Sequence, residues 1–157
     1  MRFRPNSTSL RAPPDKVSKK RKRDAAGTAP AKRILVVDDD PDTLAMLEIW
    51  LMELGFNVST AGTGVDALSQ IEEEPPDLIV TDQSMPRMTG LQLCNRLRAR
   101  AKTRDIPIIM CSAHRLQPAD GLYERAVLKP VSLTEISDEI VALLGAASRD
   151  RGGSATH

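Results

Sequence analysis

Cysteine, aromatic residues and long apolar runs are all scarce in this 157-residue chain, and each scarcity removes a class of explanation. The two cysteines, Cys94 in a helical pattern and Cys111 in an apolar strand, lack the CxxC or Cys/His spacing of a metal or redox site. They read as small buried hydrophobes. No apolar run approaches the roughly eighteen residues that a membrane span requires, and the N-terminus lacks the apolar stretch of a secretory signal. A cytoplasmic, reducing location is therefore expected. Aromatics make up 3% of the chain, and its densest basic run, Lys19-Lys20-Arg21-Lys22-Arg23, contains none with which to stack a base.

The net charge of +1 conceals two opposed segments. Residues 1–33 carry eleven Lys or Arg against Asp15 and Asp24, a balance of +9, whereas residues 34–157 carry eleven against nineteen acids, a balance of −8. Residues 1–31 hold Pro5, Pro13, Pro14 and Pro30, many charges and few apolar residues, too little to offset the entropy of ordering. The expected organisation is a disordered basic tail over 1–31, a folded domain over 32–145 and a flexible C-terminal tail over 146–157. The run at Lys19–Arg23 is suited to weak electrostatic binding of a polyanion or an anionic lipid, or is simply solvated.

From Ile34 onward strand and helix patterns alternate. Ile34–Val37, Phe56–Ala61, Leu78–Thr81, Ile106–Cys111 and Ala126–Leu128 read as strands. Asp40 is placed to cap a helix that has Pro41 at its first position and ends at Gly55. Thr63 caps a second, and Leu91, Cys94 and Leu97 mark a third with a basic outer face. Ser132-Leu133-Thr134-Glu135 has the capping-box pattern that opens the last, through Ile136, Ile140, Leu143 and Leu144. Between Ser112 and Lys129, Pro118 and Gly121 leave room only for a short or irregular helix. The pattern predicts an α/β fold: a doubly wound, five-stranded parallel sheet of flavodoxin-like order with a shortened or irregular fourth helix.

Chemistry-bearing residues fall at the carboxyl ends of four strands, where side chains of such a sheet converge on one crevice. These are Asp38, Asp39 and Asp40, then Asp82, Ser112 and Lys129. Asp40 is accounted for as a helix cap. Asp38, Asp39 and Asp82 together would crowd negative charge unless a cation neutralised it, and hard oxygen ligands select magnesium or manganese. Lys129 supplies a point positive charge and Ser112 a hydrogen bond, both suited to phosphoryl oxygens. The loop after Asp82 is stiffened by Pro86 and free to turn at Gly90.

These residues carry a family resemblance. The chain from Ile34 to about Leu144 resembles the receiver domain of two-component response regulators. The likeness rests on Val37-Asp38-Asp39, on Asp82 in an Asp-x-x-Met-Pro-x-Met-x-Gly run, on Ser112-Ala113 and on Lys129-Pro130. It implies that Asp82 accepts a phosphoryl group from a histidine kinase or histidine phosphotransfer protein. It further implies that Asp39, Asp82 and the backbone carbonyl of Ser84 hold Mg2+ or Mn2+, with Asp38 acting mainly through water. Ser112 and Lys129 would grip the phosphoryl oxygens, and Ser84 and His114 sit where the family tunes water's access. The chain departs from the family at Ala126, where a Tyr or Phe is usual. Tyr123 lies three positions earlier. With the short fourth helix, this predicts intact phosphorylation and an altered readout.

The leading expectation is a stand-alone receiver that signals by protein contact, with no enzyme activity beyond accepting and hydrolysing its own phosphoryl group. A phosphatase built on Asp38 and Asp40 leaves Asp82 unexplained and lacks a cap domain. The alternative is a phosphate-independent receiver-like module regulating a basic tail that binds nucleic acid or an acidic partner.

Overall fold

Short aliphatic runs with few polar interruptions can be buried on both faces, and here three of them form the middle of one sheet that two more polar, partly exposed strands complete. In the computed structural model, which describes residues 29–117 and 121–152, the five are β1 (Arg33–Val37), β2 (Asn57–Ala61), β3 (Leu78–Asp82), β4 (Ile108–Ser112) and β5 (Arg125–Leu128). Every pairing is parallel and the order is β2-β1-β3-β4-β5. The register sets Val37 beside Thr81, Asp82 beside Cys111, and Ser112 beside Leu128. The residues that end or follow these strands therefore meet at one rim.

Among the described residues, four helices connect or follow the strands: α1 (Pro41–Glu53), α2 (Gly64–Glu73), α3 (Gly90–Arg98) and α4 (Leu133–Gly152). Asp40 caps α1 by accepting from the Asp42 amide, with Pro41 opening the helix. Thr63 caps α2, and Gly55 turns the chain out of α1 at φ 94°. Alternate strand residues face opposite ways and build two cores. Ile34, Val36, Leu78, Val80 and Ile109 pack with Leu47 and Leu51 of α1 and Ile136 and Ile140 of α4. Leu35, Val37, Ile79, Ile108 and Met110 pack with Ala67 and Ile71 of α2 and Leu93 and Leu97 of α3. Trp50 Nε1 donates to Ser137 Oγ at 2.7 Å, tying α1 to α4 on the first of these faces.

The predicted sheet and its order are the observed ones. Two local details refine this picture. No helix lies between β4 and β5 among the described residues, so the short fourth helix is replaced there by turns, and the fourth helix in chain order is the one after β5. Arg98 replaces helical hydrogen bonds as the anchor of this connection, donating to the Gly121 carbonyl at 3.0 Å and to both Glu124 oxygens at 3.0 and 3.1 Å. The last helix also runs through Gly145 to Gly152, seven residues beyond the predicted 145 boundary. Ala146 and Ala147, strong helix formers, carry it past the glycine. The Lys19–Arg23 run and His157 lie outside the described residues.

Candidate functional site

Asp82 is the last residue of β3, in the middle of the sheet, with its side chain 5% exposed. Its Oδ1 accepts from the Ser84 amide at 3.3 Å and lies 3.2 Å from Lys129 Nζ. Asp38 follows β1, is equally buried, accepts from the Asp40 amide at 2.9 Å and takes a hydrogen bond from Lys129 Nζ at 3.1 Å. Asp39 beside it is exposed. Carboxylate oxygens of Asp38, Asp39 and Asp82 all lie within 4.8 Å of one another, and such an oxygen-only donor set fits a hard divalent ion.

The opposing charges set the electrostatics. Burial raises the Asp82 pKa above its ordinary value, and the negative charge of Asp38 adds to the rise, while the Lys129 hydrogen bond opposes it. For Lys129 burial works against the ammonium, but hydrogen bonds to Asp38 and Asp82 outweigh it and the pKa rises. Lys129 is thus held as a cation between two buried carboxylates. It follows β5 and reaches past β4, whose terminal Ser112 is 5% exposed. Ser112 Oγ accepts from the His114 amide at 3.2 Å, which leaves its O–H to donate elsewhere. The Lys129 amide donates to the Ser112 carbonyl at 2.8 Å, and the Lys129–Pro130 peptide is cis.

The β3–α3 loop is locked from both sides. The Gln83 amide donates to the Cys111 carbonyl at 2.8 Å, Gly90 N to the Gln83 carbonyl at 3.0 Å, and Leu91 N to Gln83 Oε1 at 3.1 Å. Met85 and Met88 are buried, the latter against Gly64 at the start of α2. Thr89 caps α3 in a reciprocal capping box with Gln92. A Cβ on Gly90 would come within 2.5 Å of the Asp82 carbonyl, so only glycine lets the helix start this close to the acid.

All the predicted residues with side-chain roles, Asp38, Asp39, Asp82, Ser112 and Lys129, stand at this rim, and Ser84 joins them through its amide. His114 is exposed beside Ser112, and Tyr123 is half-buried, its hydroxyl donating to the Gln117 carbonyl at 2.6 Å. Sequence reasoning missed Gln83 and Thr89. The Thr89-x-x-Gln92 spacing is the signal that reveals the cap.

The surroundings of this site match known proteins. The curated relatives include the transcriptional regulatory protein PrrA of Mycobacterium tuberculosis, 38% identical over 138 residues that make up 85% of this chain and 56% of the relative. PrrA of Mycobacterium leprae is 40% identical over 129 residues, 79% of this chain and 53% of its own. The chain spans about half the length of the curated relatives it matches. Among solved structures, the N-terminal domain of a response regulator receiver protein from Methanoculleus marisnigri JR1 is 31% identical with a TM-score of 0.61, covering 72% of this chain and 96% of that one. The receiver domain of the sensor histidine kinase PA1611 from Pseudomonas aeruginosa PAO1, solved with magnesium coordinated in its active site cleft, is 26% identical with a TM-score of 0.67, covering 73% of this chain and 98% of that one. The family model for the response regulator receiver domain matches residues 34–140, and the chain belongs to that family.

Proposed function

We propose that Asp82 accepts a phosphoryl group from the phosphohistidine of a histidine kinase or histidine phosphotransfer protein, and that the domain then signals by protein contact. The observation that carries this reading is Lys129 held between Asp82 and Asp38, with its backbone amide on the Ser112 carbonyl. Asp82 is the nucleophile, fixed by the Ser84 amide and by the locked loop behind it, so its oxygen attacks phosphorus in line with the departing group. Lys129 has three N–H donors, and those not engaged by the carboxylates bind a phosphoryl oxygen. Ser112 donates its free O–H to another.

Asp38, Asp39, Asp82 and the Ser84 carbonyl would hold Mg2+ or Mn2+, which supplies charge neutralisation for the transferring group. The domain acts on no other substrate and hydrolyses only its own acyl phosphate. A cytoplasmic location accords with this role, and no described helix is long and apolar enough to cross a membrane. The basic run at Lys19–Arg23 adds weak, salt-sensitive polyanion binding. Removal of residues 1–31 abolishes that binding, and salt-independent retention of a polyanion would refute it.

Incubation with magnesium and acetyl phosphate, followed by intact-mass measurement, tests the acceptor. A phosphoryl adduct on the wild-type chain that is absent from Asp82→Asn and requires the metal is expected. An adduct persisting in Asp82→Asn sinks the assignment.

A further inference from the structure

The crevice poses a charge problem for its own reaction. Asp38, Asp39, Asp40 and Asp82 lie at or just past the ends of β1 and β3, and Lys129 is the ammonium that offsets them. A phosphoryl donor is an anion and approaches against this field.

Two other cations stand on the loops that frame the crevice. Arg87 is five residues beyond Asp82 on the β3–α3 loop, and Arg115 is three beyond Ser112 on the β4–β5 connection. Both are exposed, and neither has an acidic partner among the described residues. Among the other described arginines, Arg33, Arg98, Arg100 and Arg125 are paired, with Glu74, Glu124, Glu72 and Glu139, whereas Arg96 and Arg104 are exposed and unpaired but stand in the last turn of α3 and on the connection into the amino end of β4, not on the loops that leave the carboxyl ends of the strands.

Arg87 is also held in an unusual way. The Met88 amide donates to the Pro86 carbonyl at 2.8 Å, closing a γ-turn with Arg87 at its centre and φ 70°. Residues bearing a Cβ rarely adopt that conformation. Met85 and Met88, 6% and 7% exposed, anchor the turn on either side. The backbone is fixed by its neighbours, and the guanidinium stands at the apex of the turn in solvent.

We propose that Arg87 and Arg115 form a cationic rim that recruits a dianionic phosphoryl donor to Asp82. The inference rests on Asp82 being the acceptor and concerns how the donor arrives. The transfer itself is unaltered: a bond forms from Asp82 carboxylate oxygen to phosphorus as the bond from phosphorus to the leaving atom breaks. Acetyl phosphate releases acetate and phosphoramidate releases ammonia. At neutral pH the first arrives as a dianion and the second with a single net negative charge, so a cationic rim favours the first.

The test uses the full chain with magnesium and measures the second-order rate of adduct formation with each donor, at low and high salt. The variants are Arg87→Gly, Arg87→Lys, Arg115→Ala and the Arg87→Gly/Arg115→Ala double. Steering by exposed charges changes association rates by about tenfold or more and fades as the screening length shortens. The double variant is expected to slow acetyl phosphate about tenfold at low salt and less than about twofold at high salt. Phosphoramidate loses less, Arg87→Lys keeps most of the wild-type rate, and hydrolysis of the finished adduct, which involves no donor, keeps its rate.

An unchanged rate with acetyl phosphate overturns the proposal. Equal slowing with both donors, accompanied by altered hydrolysis, also overturns it, because Arg87 would then only shape the loop. A wild-type chain that takes no phosphoryl group from either donor removes the acceptor reading and this inference together. A normal adduct with arginine-independent kinetics removes this inference alone.

Discussion

Lys129 Nζ lies 3.2 Å from Asp82 Oδ1 although β4 stands between the two strands that carry these residues. The same ammonium is 3.1 Å from Asp38 Oδ2, so one side chain from the sheet edge neutralises two buried carboxylates at its centre. Lys129→Met keeps the apolar stem and deletes the charge. The two carboxylates then repel without a counter-ion. Breaking a buried pair costs about 3–5 kcal/mol, and exposure of the Lys129 side chain reduces this to about 1–2 kcal/mol at neutral pH. The loss shrinks as pH falls, because protonation of Asp82, favoured by burial, removes the repulsion. Urea unfolding of both proteins at neutral and mildly acidic pH measures this. Magnesium should raise the melting temperature of the variant more than that of the wild type, and an equal rise in both would contradict a shared set of carboxylates.

Gly64 and Gly90 provide a contrast in what a single methyl group meets. A Cβ at Gly64 would come within 2.6 Å of Met88 Sδ, 2.9 Å of its Cγ and 3.0 Å of its Cβ, all atoms of one side chain and none of the backbone. At Gly90 it would come within 2.5 Å of the Asp82 backbone carbonyl, which cannot move without moving the Asp82 carboxylate. Gly64→Ala is therefore expected to cost about 1–2 kcal/mol, and Gly90→Ala about 2–3 kcal/mol, the upper range for overpacking. Only the second should also depress phosphoryl acceptance under conditions where both proteins are folded. Denaturant unfolding with adduct formation by mass separates the two, and equal effects would mean that the α3 start does not position Asp82.

Arg87→Gly makes the opposite prediction for stability. The left-handed conformation costs a residue with a Cβ about 1–2 kcal/mol, and glycine returns part of this through its freedom in the unfolded chain. A net gain of up to about 1 kcal/mol is expected in urea unfolding. A loss of stability would mean that the guanidinium makes a contact worth more than the strain.

The sheet was legible because β1, β3 and β4 are short apolar runs bounded by Gly, Pro and acids, with β3 and β4 buried throughout, and because the more polar β2 and β5 fall at the expected spacing between helix signals. The site was legible for a related reason: Asp38, Asp82, Ser112 and Lys129 each end or follow a strand, and a parallel sheet brings such positions together. What escaped depends on tertiary contacts. Arg98 reaches Gly121 and Glu124 across 23 and 26 residues, and no local pattern announces that this clamp holds a connection without a helix. The left-handed Arg87 is imposed by the buried methionines on either side, against its own preference. The last helix passes Gly145 because propensity beyond it is strong, whereas composition alone suggested fraying.

The cysteines give a test of core integrity that is independent of phosphorylation. Cys94 on α3 is fully buried and Cys111 on β4 is 3% exposed, and they belong to cores on opposite faces of the sheet. Burial pushes both thiols up to about 12, so at pH 8 almost none of either is thiolate, the form that alkylates. Iodoacetamide should leave the native chain unmodified at pH 8 and add two groups in urea, counted by intact mass. The rate of native labelling then reports how often each core opens. Cys111 sits beside Asp82 in the sheet register, so a mutation that loosens the end of β3, such as Gly90→Ala, should accelerate labelling at Cys111. If wild-type Cys111 labels as fast as an unfolded thiol, the strand between Asp82 and Lys129 is not the closed core described, and the rigid placement argued for Asp82 fails with it.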